Sequence, residues 1–183
     1  LVKALDLKRE IVASNESAPR LRGDLALGLS QLAILRYRMS KTETLQDLMD
    51  EAIAIQEQLI AAYPLNQEFA NEYAFACTNW CAILQRLNDP RAVDMGRTSV
   101  QAWESRVLHS PETSRNHARL AGARLALANI LRDEHQYDEA IAMYSNAIAV
   151  FDDLMASGIP VATRNDTLMN AHWGRASSAS HTG

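Results

Sequence analysis

Glycine is scarce in this 183-residue chain, with seven copies, and no stretch alternates apolar and polar residues over six or more positions. Both absences argue against half-buried strands. Cysteine is scarcer still: Cys77 and Cys81 stand one helical turn apart, where a disulfide between them is strained, so a disulfide-built secreted domain is excluded. There is no basic excess. Eighteen Lys and Arg against 22 Asp and Glu give a net charge of −4, with the positive residues scattered, which removes the general electrostatic footprint of a nucleic-acid binder. No uncharged apolar run reaches the roughly 18 to 20 residues needed to cross a bilayer, and the N-terminus lacks a signal peptide's basic, apolar and cleavage regions. The chain therefore reads as soluble and cytoplasmic, with no membrane partner. Missing as well are the GxGxxG, GxxxxGK, GxSxG, HExxH and kinase catalytic patterns, so neither enzymatic activity nor a cofactor is expected of this segment.

What remains is dominated by Ala, Leu, Arg, Glu and Gln, with 48% hydrophobic residues, enough for a substantial core and an all-α fold. Comparing the chain with itself reveals a repeat. Pro19, Pro64, Pro111 and Pro160 recur at spacings of 45, 47 and 49, each suited to end one helix and open another. After the first three, one pattern returns: Leu25-Ala26-x-Gly28-x-x-x-Leu32-Ala33-x-Leu35, Tyr73-Ala74-x-Ala76-x-x-x-Trp80-Cys81-x-Ile83, and Leu120-Ala121-x-Ala123-x-x-x-Leu127-Ala128-x-Ile130. Small residues at Gly28, Ala76 and Ala123 let a neighbouring helix approach, while Leu32, Trp80 and Leu127 fill the space beside them.

Each unit then sends back a second helix. Ser40-x-x-Glu43 reads as a capping box, Asp89-Pro90 as an N-cap with proline behind it, and Asp138-Glu139 as the start of a third return helix. The expected stripes are Leu45, Leu48, Met49, Ala52, Ile53 and Ile55; Ala92, Val93, Met95, Val100 and Trp103; and Ala140, Ile141, Tyr144, Ala147, Ile148 and Phe151. The chain thus divides into a returning helix (1–18), three helix pairs (19–63, 64–110, 111–159), a capping helix (160–178) and a tail (179–183). Gly158 closes the third pair, and Thr163-x-x-Asp166 opens the last helix, in which Ala171 keeps the small position and the outer face is expected to be wet. Because Leu1 to Ala13 already reads as helix interior, the segment is expected to be a fragment of a larger chain.

Asp138-Glu139-Ala140-Ile141-x-x-Tyr144-x-x-Ala147-Ile148 resembles the second helix of a tetratricopeptide (TPR) motif, and Leu127-Ala128-x-x-Leu131 resembles the end of its first. Leu45, Met49 and Ala52, and Ala92, Gly96 and Ser99, are the degenerate counterparts. The usual repeat has about 34 residues, so the longer spacing implies longer second helices. Glu51-Ala52-Ile53 through Tyr63-Pro64 and Ala4 through Val12 are similar to long-period arrays of large bacterial proteins, often joined to serine/threonine kinase or caspase-like peptidase domains. The resemblance implies a right-handed α-solenoid of roughly eight helices, acting as a protein-interaction or scaffold module for a partner segment or a neighbouring domain. It leaves a second possibility: the regulatory C-terminal part of a signalling enzyme whose catalytic domain lies upstream. It brings no catalytic residue.

In such folds the first helices line the ligand groove. By position, the candidate binding residues are Gln31, Tyr37 and Arg38; Asn79, Gln85 and Arg86; and Asn129 and Arg132. Tyr37, Arg38, Arg86 and Arg132 are the expected anchors, since guanidinium groups hold carboxylates directionally. Gln56 and Glu104 are placed on the opposite, outer face. The Lys and Asn pattern that clamps a terminal carboxylate in chaperone-binding relatives is not reproduced. Cys77 and Cys81 are assigned to the core rather than to a metal site, His109, His117, His135, His172 and His181 to loops and surfaces, and Glu51, Glu57 and Glu68 to solvated helix faces.

Overall fold

A computed structural model describes residues 2–15, 18–158 and 165–182, and every regular element among them is a helix: α1 (Val2–Ser14), α2 (Pro19–Arg38), α3 (Leu45–Ala62), α4 (Gln67–Arg86), α5 (Ala92–His109), α6 (Ser114–Asp133), α7 (Tyr137–Ala156) and α8 (Asn165–Ala179). Leu1, Pro160, Thr163, Gly183 and the side chain of Asp166 lie outside the described set, so the expectations placed on them stay with the sequence. Among the described residues, no helix is long and apolar enough to cross a membrane. The chain forms two compact units, Leu1–Ile83 and Leu84–Gly183, with the division falling near the end of α4. Within each, helices pack against their neighbours in sequence, the pattern from which solenoids are built.

Burial confirms a repeat of 47 or 48 residues in the return helices. Leu45, Ala92 and Ala140 are buried, as are Met49, Gly96 and Tyr144; Ala52, Ser99 and Ala147; Ile53, Val100 and Ile148; Gln56, Trp103 and Phe151; and Leu59, Arg106 and Leu154. In the first helices Gly28, Ala76 and Ala123 are buried together with Leu32, Trp80 and Leu127. The expected small and large alternation is therefore the packing surface. The extra length is not confined to the second helices: α2, α4 and α6 have 20 residues each, against 18, 18 and 20 for α3, α5 and α7.

Several expectations are corrected. Ser40 does not cap α3. It takes a positive φ of 57° behind α2, the Lys41 N–H reaches the Arg36 carbonyl at 2.9 Å, and the Ser40 N–H reaches that of Tyr37. This is a helix-ending Schellman motif, repeated at Asn88 (φ 52°) and His135 (φ 61°) with the same pair of bonds. A non-glycine residue accepts the left-handed conformation at all three sites. α3 itself starts at Leu45 after Thr44, which makes no side-chain cap. Asp89 accepts the Arg91 N–H at 3.0 Å in the turn ahead of α5, but the helix starts at Ala92 with Arg91 as its N-cap, so Asp89-Pro90 does not open it; α4 is capped by Asn66, whose Oδ1 accepts the N–H groups of Glu68 and Phe69. Leu35 is exposed where Ile83 and Ile130 are buried. Gln56, expected outside, is buried. Ala179, placed in the tail, is the last residue of α8.

Candidate binding surface

The glycines locate the open face of the first helices. A Cβ at Gly28 would stand 2.7 Å from Leu5 Cδ2 on α1, and one at Gly174 2.5 Å from the ring of Tyr144 on α7. Both therefore mark the point where a first helix meets the preceding return helix, and Ala76 and Ala123 are their buried counterparts. Gly174, not Ala171, holds that position in α8.

The residue just before each of these turns away by about 100°. Those residues are Leu27, Phe75, Gly122 and Trp173, and all four are exposed, the three side chains by 39, 37 and 63%. Gly122 leaves its place open, with nothing within 4 Å of where a Cβ would be. One turn further, Gln31 and Asn79 are exposed, while Ala126 and Ser177 are half-buried. Met169, one turn before Trp173, is also exposed, so the outer face of α8 is more apolar than expected.

One turn in the other direction the two units differ in charge. The first unit carries Asp24, Glu68 and Glu72, and the second carries Arg115 and Arg119. Glu72 lies against α2, since a Cβ at Gly23 would be 3.5 Å from its Oε2 and 3.2 Å from the Phe69 ring. Burial first, then the neighbouring carboxylates of Glu68 and Asp24, raise its pKa above the ordinary carboxylate value. Among the described residues, no salt bridge reaches any of the three.

The anchors expected from sequence fall into two kinds. Arg38 and Arg86 are exposed at the ends of α2 and α4, with Tyr37 and Gln85 half-buried beside them. Asn129 and Arg132 are brought together around Tyr144: its hydroxyl donates to Asn129 Oδ1 at 2.6 Å, and Arg132 Nη1 lies 3.4 Å from that oxygen. Arg132 also pairs with Asp133 at 2.8 Å and sits 5.5 Å from the Trp173 ring centroid. These two side chains therefore join α6, α7 and α8 as well as bordering the open face.

Other chemistry-bearing groups are structural. Cys77 and Cys81 are buried and not disulfide-bonded, and burial pushes their thiols up to about 12 and about 11, which keeps them protonated and unreactive at neutral pH. Glu51 accepts both Nε and Nη2 of Arg9, at 2.9 and 2.6 Å, and Glu57 accepts the Tyr73 hydroxyl at 3.3 Å. The Arg9–Glu51 pair lines a cleft of about 560 Å³ between α1, α2 and α3, where the two charges satisfy each other. Among the described residues, no three His, Cys, Asp or Glu side chains cluster in a way that could hold a metal ion. Comparison with protein-family models and with curated proteins gives no match to this chain.

Proposed function

We propose that the chain is a protein–protein interaction module of the tetratricopeptide kind, holding an extended partner segment, from another protein or from its own parent chain, on the exposed first-helix face of one unit or the other. One observation carries this reading: Leu27, Phe75, Gly122 and Trp173 share a repeat position and are all exposed, and in α2, α4 and α6 most of the other apolar side chains are buried. A recurring apolar position flanked by amides such as Gln31 and Asn79 suits an extended segment, which offers side chains and main-chain groups at regular intervals. Tyr37, Arg38 and Arg86 form polar margins of the same helices, where directional contacts contribute specificity.

The test is selection of binders from a displayed random-peptide library, followed by amide shift mapping on the labelled protein. Shifts should centre on Leu27, Gln31, Phe75 and Asn79, or on Ala126 and Trp173. Trp173→Ala or Leu27→Asp should weaken binding tenfold or more, about 1.4 kcal/mol. Shifts confined to return-helix surfaces such as Glu104 would reject the first-helix face.

A further inference from the structure

We propose that the first unit's share of this face docks a basic segment, seating an apolar side chain on Leu27 and Phe75 and an adjacent lysine or arginine against Asp24, Glu68 and Glu72. The inference rests on the first-helix reading and adds the chemistry of the partner. Leu27 and Phe75 are exposed at matching positions of α2 and α4, and the three carboxylates lie on the same stripes, one and two turns toward the helix starts.

Among the described residues of the first unit, no nearby cation makes a salt bridge with these carboxylates. Lys8 donates its Nζ to the main-chain carbonyl of Asp24 at 3.1 Å rather than to the carboxylate, and Arg20, one turn before Asp24, makes no salt bridge with it. The raised pKa of Glu72 reports the same stress, since burial and two like charges disfavour its ionised form. A partner ammonium or guanidinium relieves that repulsion, whereas an acidic segment adds to it. The second unit is the internal contrast, because Arg115 and Arg119 occupy the positions of Glu68 and Glu72.

The probe is a short blocked peptide of alternating lysine and leucine, compared by calorimetry with its glutamate–leucine counterpart. The lysine peptide should bind saturably and the glutamate peptide at least tenfold more weakly. Glu68→Gln with Glu72→Gln should reduce lysine-peptide affinity tenfold or more, as should Leu27→Asn with Phe75→Asn, with circular dichroism confirming the fold of each variant. Binding should weaken as pH falls from 7 toward 4.5, because protonating Glu72 removes the charge the cation needs. Equal affinity for the two peptides, or a change within twofold in the glutamine variant, overturns the proposal. If library-selected peptides map to Leu27 and Phe75 but are not basic, the partner chemistry is wrong and the face stands. If they map to the return helices, the face itself is wrong.

Discussion

In the second unit, the innermost position of the return helices is filled by Trp103 and Phe151, both fully buried, whereas in the first unit the same position holds Gln56, whose Oε1 is buried without a hydrogen-bond partner. Position 30 repeats the contrast. Ser30 Oγ is buried and unpartnered, while Leu125 occupies the equivalent place in α6. A third contrast lies at the end of the first helices, where Arg36 is half-buried and reaches Thr44, but Leu84 and Leu131 are buried. The second unit has buried polar groups too, yet they are used: the Tyr144 hydroxyl is bound by Asn129, and the Asn116 amide by the Arg106 carbonyl. One repeat plan thus tolerates different interiors, because each helix is held mainly by its immediate neighbours. The interior of the first unit is the weaker, since an unpartnered buried polar atom costs about 1 to 3 kcal/mol.

The largest test substitutes at the innermost position in both units. Trp103→Ala should lower stability by about 3 to 5 kcal/mol, from lost burial and the cavity left behind. Gln56→Leu, at the matching site, should raise it by about 1 kcal/mol by removing the unpartnered oxygen. Reversible urea titration measures both. A clear loss in Gln56→Leu would show that the amide is bonded in solution and that the first unit is not the weaker one.

A second pair compares the two close-approach glycines. At Gly174 an added methyl meets the aromatic ring of Tyr144, which is buried and cannot swing away, so Gly174→Ala should cost about 1 to 3 kcal/mol. At Gly28 it meets the end of the flexible Leu5 side chain, and alanine's better helix propensity, about 1 kcal/mol, offsets the crowding. Gly28→Ala should therefore be close to neutral by thermal melting. Equal losses at both sites would mean that Tyr144 is not wedged against α8.

These pairs also show what was legible in the sequence. The alternation of Gly28, Ala76 and Ala123 with Leu32, Trp80 and Leu127 could be read because close helix packing demands small residues beside large ones. The turns after the first helices were misread, because Ser40 with Glu43 satisfies a capping pattern while a left-handed Ser, Asn or His lacks glycine's usual signature. The register of α8 slipped because 51 residues, counted from 123 to 174, separate Ala123 from its counterpart Gly174, which exceeds the repeat elsewhere. Gln31 and Asn79, expected to face a groove, are exposed, whereas Leu27, Phe75 and Trp173 carry no sequence signal of exposure, because an apolar residue within a helix suggests burial. The usable clue was adjacency: each immediately precedes a small close-packed residue and so points elsewhere. Asn129 and Arg132 are expected in a groove by position, but their bonds to Tyr144 depend on a neighbouring helix that spacing alone does not place.

The smallest predicted effect sets one carboxylate from each unit against the other. Glu72 has a raised pKa, so the fold holds its proton more tightly than the unfolded chain does; at neutral pH its ionised form costs stability, and the cost fades as pH falls through the folded value toward 4.5. Asp89 is the reverse. Hydrogen bonding to Arg91 holds it down to about 2, so its contribution is present above the ordinary value of 3.8 and is lost as pH falls toward 2. Glu72→Gln should therefore stabilise the protein at pH 7 and become neutral near pH 4, whereas Asp89→Asn should destabilise it at pH 7 and keep part of that deficit at pH 3. Both groups are partly solvated, which limits each effect to about 0.5 kcal/mol. Urea titrations of both variants across this range provide the measurement. Destabilisation of the fold by Glu72→Gln at pH 7 would mean that the three carboxylates of the first unit do not strain one another, and the charge contrast between the units would lose its physical basis.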